Sequence, residues 1–310
     1  MIGKILVVFV LTLILFVLVA FVYQNLPGES IELSLKENQT SKGGITSLNY
    51  GTTPVFAENL RFNHNNISYF IDSSCLSDRK KLMKEAFNIF QEEMGFITFY
   101  ELGNDQADIL VSCSDKYINL GEDLFAAGEG GPSRIINTSQ FKTIEKGKIS
   151  LYKNHECEYP VVELHELGHV FGFDHISNKK SIMYNTSNCD QRITTDMIGI
   201  IKSLYSIEPL AEARISELSA VKKGRYLDFN ITVLNEGLLE IENISLTILS
   251  EEKEIDKIYL GKMGIGYGRT LKVTNMQLPL RDTEKIDFIL DLENQVREFD
   301  ETNNIALMSV

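Results

Sequence analysis

Hydrophobic residues follow three unlike patterns along this chain. From Ile5 to Tyr23 they form a run of 19 residues without a charge. At about 1.5 Å per residue a helix over this run is roughly 28 Å long, close to the hydrocarbon thickness of a bilayer. A cleaved signal has a shorter apolar core that ends in a small-x-small site. Residues 1–24 are therefore expected to be a single-pass anchor, with a cleaved signal as the alternative. Lys4 and the amino terminus place the start of the chain inside and everything after Gln24 outside. Residues 25–65 carry Pro, Gly, Ser, Thr and Asn with little periodicity and read as a tether.

The second pattern, over 66–208, mixes strand and helix periods. Ile67–Ile71 reads as a strand. Ser77 is placed to cap a helix to about Met94, with Leu82, Ala86, Ile89 and Phe90 at helical spacing and Gly95 as its stop. Phe96–Leu102 and Ala107–Cys113 are strand-like and separated by the turn Gly103-Asn104-Asp105. Ala126–Pro132 is glycine-rich but lacks the Lys and Ser/Thr of a phosphate-binding loop, and reads as a surface loop. Lys148–Tyr152 is a further strand, and Pro160 opens a helix to about Phe171. After Ser206–Pro209 the third pattern begins, with strands at roughly ten-residue intervals: Tyr226–Leu234, Asn243–Leu249, Lys257–Leu260, Thr270–Met276, Lys285–Leu292 and Ile305–Ser309. Leu227, Phe229, Ile231 and Val233 alternate with polar residues, as one strand of a sandwich should.

Composition narrows the function classes. The 43 acidic residues outnumber the 30 basic ones, giving a net charge of −13, so the field of the chain repels phosphate backbones and nucleic acid is excluded as a partner. Cys75, Cys113, Cys157 and Cys189 are an even set on an exported chain, which suggests two bridges from three possible pairings.

The segment that bears on chemistry is His165-Glu166-Leu167-Gly168-His169-Val170-Phe171-Gly172-Phe173-Asp174-His175. Histidines four apart share one helical face at about 5 to 6 Å between Cβ atoms, which lets both imidazoles meet one Zn²⁺. Glu166 projects beside such a metal and not onto it. Gly172 permits the left-handed turn that returns His175 to the metal. Three protein ligands leave one coordination position for water, whose proton Glu166 can take. His64 and His155 have no partner at ligand spacing and read as surface or hydrogen-bonding residues, and Tyr184 reads as a packing residue.

His165–His175 is similar to the extended zinc signature of the metzincin metallopeptidases. Ser181-Ile182-Met183-Tyr184 resembles their Met-turn, and the Met-Tyr pair with the segment Asp196–Tyr205 resembles the matrixin branch and its closing helix. The resemblance covers about residues 66–206. It implies an α+β catalytic domain, a mixed sheet with three helices, in which His165, His169 and His175 hold zinc, Glu166 is catalytic and Met183 lies beneath the ligands. It also makes the first and third strands neighbours, which implies the bridge Cys75–Cys113, and it sets Cys157 just before the active-site helix and Cys189 after the Met-turn, which implies Cys157–Cys189. Ile176 departs from the small polar residue that animal matrixins carry there, and no further zinc or calcium site is recognisable in residues 114–147, so only the catalytic zinc is carried over.

Asn235-Glu236-Gly237 and the acidic stretch Asp291–Asn304 resemble the CARDB class of immunoglobulin-like domains, which implies an all-β sandwich over 213–310. The acidic stretch is expected to be a solvated hairpin loop. Together these resemblances imply a zinc endopeptidase that cuts protein or peptide substrates with a zinc-bound, Glu166-activated water. It would be held at the outer face of a cell membrane through residues 5–23, with a secreted form as the alternative. The competing function is a surface adhesion or binding protein whose zinc site is idle.

Overall fold

A computed structural model describes residues 2–26, 30–34, 53–116, 118–121, 124–152 and 157–309. The chain divides into two compact units, one of Met1–Gly43 with Leu210–Val310 and the other of Gly44–Pro209. In chain order the elements are α1 (Ile2–Asn25), β1 (Ser30–Ser34), β2 (Leu60–Arg61), β3 (Asn66–Ile71), α2 (Ser77–Met94), β4 (Thr98–Glu101), β5 (Ile109–Cys113), β6 (Asn119–Gly121), β7 (Leu124–Phe125), β8 (Gly128–Asn137), β9 (Lys142–Leu151), α3 (Val161–Val170), α4 (Thr195–Tyr205), β10 (Ala213–Lys223), β11 (Tyr226–Asn235), β12 (Ser245–Ser250), β13 (Lys253–Tyr259), β14 (Gly268–Gln277), β15 (Lys285–Leu290) and β16 (Ile305–Ser309).

The Gly44–Pro209 unit is α+β. Its sheet runs β2-β9-β5-β3-β4 with all these neighbours parallel, and β8 lies antiparallel on β9 from Gly128↔Leu151 to Asn137↔Lys142. Parallel strands need helical crossovers, and α2 supplies the one between β3 and β4. The helix buries Met83, Ala86, Phe87, Phe90 and Met94, one stripe at 3- and 4-residue spacing, and ends where Gly95 takes φ +77°. Ser77 is its first helical residue and not its cap; Leu76 holds the cap position without a side-chain hydrogen bond. Phe90 stacks on Phe171 at 4.7 Å and Phe62 meets Phe171 edge-on at 5.7 Å, so aromatic packing fixes the end of α3.

Two expectations are corrected in this unit. Residues Thr53–Phe62, expected as tether, belong to it: Leu60, Arg61 and Phe62 are buried, and the Asp174 amide donates to Pro54 O at 3.0 Å. Arg61 is held inside by carbonyls of Leu204 and Ile207 at the end of α4 and by the Tyr205 ring at 4.4 Å, which accounts for a charge in the core. The glycine-rich stretch is no loop, because from Gly128 onward it forms the edge strand β8.

The second unit is all-β. Its two four-stranded sheets run β1-β10-β11-β14 and β13-β12-β15-β16, every neighbour antiparallel, around a core that includes Phe229, Ile231, Leu246, Ile248, Ile286 and Phe288. β10 carries no clean alternation in sequence because a bulge between Ile215 and Glu217 moves the buried positions from Ala213 and Ile215 to Leu218, Ala220 and Lys222. β1 is a second departure from the expected tether. Ser30–Ser34 pairs with Ser219–Lys223 and covers what would otherwise be a bare edge of β10. Residues 27–29 and 35–52 of the expected tether lie outside the described residues.

The acidic stretch at the end of this unit is only in part the solvated loop expected, with Leu292–Gln295, Glu301 and Thr302 exposed. Asp291, Glu298, Asn303 and Asn304 are buried, as is Glu212. Glu212 accepts the amides of Phe299 and Asp300 and the Asn303 side chain, and Glu298 accepts the Ala213 amide and the Asn304 side chain. The fully buried Asn235 accepts from Gly237 N and donates to Leu239 O and Met263 O, which is the physical role of the Asn-Glu-Gly turn. α1 contains the segment Val7–Gln24, with a mean hydropathy of 2.8 and its apolar side chains exposed, long and apolar enough to cross a bilayer.

Candidate metal centre

α3 carries the first two histidines of the motif on one face, and the chain after it supplies the third. The helix ends at Val170, and Gly172 takes φ +93°, a conformation that a side chain would strain. The amide of Phe173 then closes on Gly168 O at 3.2 Å, and the reversed chain brings His175 back beside the helix. His165 Nε2 lies 3.1 Å from His169 Nε2 and 3.2 Å from His175 Nε2. Among the described residues these three are the group of His, Cys, Asp and Glu side chains that could hold a metal ion.

The donor set fits zinc. His165 Nδ1 lies 2.7 Å from Ile182 O and His169 Nδ1 lies 2.8 Å from Phe173 O. A carbonyl only accepts, so both protons sit on Nδ1 and both Nε2 atoms present lone pairs. Lone pairs about 3 Å apart repel unless a cation lies among them. Two nitrogens bound at about 2.0 to 2.1 Å to one tetrahedral ion stand about 3.3 Å apart, close to the separations here. Burial keeps the imidazoles neutral, lowering His165 to about 4 and moving His169 in the same direction.

The floor of the site is the segment expected as a Met-turn. Ile182 supplies the carbonyl that orients His165, and the Ile176 amide donates to Met183 O at 2.9 Å. Met183 is buried against Gly168, where a Cβ would stand 2.3 Å from its sulfur, so a side chain at 168 would force Met183 to move. The bridge Cys157–Cys189 ties the approach to α3 to the segment after this turn, and Cys75–Cys113 joins the end of β5 to the loop before α2. Arg192 covers the Tyr159 ring at 4.0 Å along the same seam. Tyr184 is half-buried after Met183, and its amide donates to Ser181 O. His64 stands apart, 3.7 Å from Asp108, and His155 lies outside the described residues.

Glu166 is buried on α3. Desolvation, then the charges of Glu129 and Glu163, push its carboxyl up to about 8, while a hydrogen bond from the Gly130 backbone works in the other direction. These contacts come from β8. A Cβ at Gly128 would stand 2.9 Å from Glu166 Oε1, and one at Gly130 would stand 2.1 Å from the Glu166 carbonyl oxygen. The strand therefore lies directly on the helix backbone at the residue next to the first histidine, which glycine alone allows. Glu129, between them, points to the opposite face, where Tyr152 Oη donates to its Oε2 at 2.6 Å. The sequence held one sign of this, two glycines spaced by two, the period of a strand with one face pressed against a neighbour.

Residues 61–206 match the Matrixin peptidase family model, and residues 210–307 match the CARDB model. Stromelysin-2 of Rattus norvegicus is 28% identical over 187 residues, which is 55% of this chain and 38% of that protein, so the chain spans well under half the length of this curated relative. A crystal structure of a CARDB domain from Pyrococcus furiosus, in complex with di-metal ions, is 15% identical and covers 33% of this chain and 93% of its own, with a TM-score of 0.28.

Proposed function

We propose that this chain, in which a matrixin domain is followed by a CARDB domain, is a zinc-dependent endopeptidase held at the outer face of a membrane by α1. The observation that carries the proposal is the convergence of three imidazole nitrogens, those of His165, His169 and His175, beside the buried Glu166. His165, His169 and His175 would hold the zinc, which when bound supplies a Lewis acid for the scissile carbonyl and acidifies water.

The remaining chemistry falls to the chain itself. Glu166, its carboxyl drawn back down by the charge of a bound zinc, would accept the proton of the attacking water and return it to the nitrogen of the leaving amine. Burial removes competing solvent from this carboxylate, and the Gly130 amide orients it. Ile182 O and Phe173 O hold the His165 and His169 rings in the tautomer that faces inward. β8 pairs with β9 along one edge, and among the described residues no strand pairs with the other. That edge offers backbone donors and acceptors to an extended peptide, the mode in which a strand is added to a sheet.

α1 followed by two disulfides suits a chain exported to an oxidising compartment. The test is Glu166→Ala in the full chain, measured for zinc content and for peptide turnover. Zinc should stay at one per chain while turnover falls by at least about 10²-fold, the lower end of a general acid–base contribution. Turnover within about threefold of the parent chain would reject the role of Glu166 and favour a binding protein with an idle site.

A further inference from the structure

On the free edge of β8, Glu129 is exposed, and among the described residues no Lys or Arg forms an ion pair with it. Lys116 lies over the Tyr152 ring, with Nζ 5.6 Å from the centroid. Tyr152 itself is buried, and its hydroxyl fixes the Glu129 carboxylate through Oε2. An acid held in place by a buried phenol, and in no ion pair with a cation among the described residues, is a ready partner for a charge arriving from outside.

The register defines where that charge would come from. Gly128 and Gly130 face α3, so Glu129 faces the other side of the sheet, with Ser150 opposite it on β9. Side chains of residues that pair across two strands lie on the same face. In a peptide laid along the free edge, the residue opposite Glu129 displays its side chain beside Glu129, and its two sequence neighbours point to the face where α3 carries His165 and Glu166. The net charge of −13 draws cationic peptides toward the chain in general, and Glu129 would make the preference specific to one position.

We propose that Glu129 is a specificity residue that selects a Lys or Arg in the substrate at the position paired with it across the free edge of β8. The proposal rests on the peptidase assignment above and adds the class of substrate to it.

The full zinc-loaded chain is incubated with a peptide library in which each position is varied among Lys, Gln and Glu. One position should show Lys favoured over Gln by about two- to fivefold in kcat/KM, the range of an opposite-charge cross-strand pair, with the difference in KM and weakened by salt. The ratio should fall to about one in Glu129→Gln and favour Glu in Glu129→Lys, since a ratio within one variant does not depend on how much of it is folded. Binding of the same Lys and Gln peptides to the Glu166→Ala chain, which needs no turnover, should rank them alike. Cleavage without a positional preference for Lys, or a preference that survives in both Glu129 variants, overturns the role of Glu129 and leaves the peptidase assignment intact. No cleavage of any peptide by the parent chain overturns the assignment and the proposal together.

Discussion

Replacing Gly130 by Ala puts one methyl group where β8 lies on α3. The new Cβ would stand 2.1 Å from the carbonyl oxygen of Glu166 and 2.8 Å from its Cα. A carbon and a carbonyl oxygen in contact normally stand about 3.3 to 3.6 Å apart, so strand and helix must separate by roughly 1 Å. Flexible side chains cannot absorb the change, because the atoms on the far side are backbone. Overpacking of this kind costs about 1 to 3 kcal/mol, equivalent to several degrees in Tm for a domain of this size. Turnover should suffer more than stability. The displaced backbone carries Glu166 beside the first histidine, and the Gly130 amide that bonds the carboxylate moves with the strand. A misplacement of about 1 Å at a reacting centre can lower the rate about 10²-fold. Gly131→Ala is the control, since a Cβ there has nothing within 4 Å. The assay compares kcat/KM, Tm and zinc content for the two variants. A Gly130→Ala chain within about threefold of the parent in kcat/KM, and indistinguishable from Gly131→Ala in Tm, would refute the close approach of β8 and α3.

Two further outcomes follow from the same structure. Removing the bridge Cys157–Cys189 by a double Ser substitution frees a loop with a sequence separation of 32, which the chain-entropy account values at roughly 3 to 4 kcal/mol. The Gly44–Pro209 unit should then melt roughly 10 °C lower while the sandwich, which holds none of the four cysteines, keeps its transition; equal shifts in both would contradict this. In the sandwich, desolvation raises the Glu298 carboxyl from 4.5 to about 7 and moves Glu212 in the same direction. The folded state therefore holds a proton that the unfolded state has already lost between about pH 4.5 and 7, so stability is highest below this window and falls by roughly 3 kcal/mol as pH rises through it. Glu298→Gln should flatten the pH dependence of the sandwich transition, and an unchanged slope would show that Glu298 does not carry it.

How much of this was legible in the sequence depends on the distance over which each feature is encoded. The convergence of the three histidines was legible because they lie within one helix and its turn, where 3.6-residue periodicity and a single glycine fix the geometry locally. The stripe of α2 and the alternation of β11 were legible for the same reason. β10 was not, because a bulge at Ser216 shifts the parity of its buried positions, and a fixed period of two cannot register that. β1 was hidden by distance. Its alternating Ser-Ile-Glu-Leu-Ser is too short to distinguish from a tether, and its partner β10 lies beyond the entire Gly44–Pro209 unit in sequence.

The glycine-rich segment shows how composition misleads when its cause is tertiary. Local rules assign glycine to turns, where it supplies backbone freedom. At Gly128 and Gly130 the requirement is instead the absence of a side chain, imposed by a helix more than thirty residues further along the chain. The same requirement explains the placement of Glu129. A strand whose inner positions must be bare can carry chemistry only on its outer positions, and the one ionisable residue between the two glycines is the acid that Tyr152 holds at the free edge. The fit of β8 to α3 and the charge offered to a peptide along its other side are thus two consequences of a single alternation, so a substitution that turned Glu129 inward would also place a side chain against the backbone of Glu166.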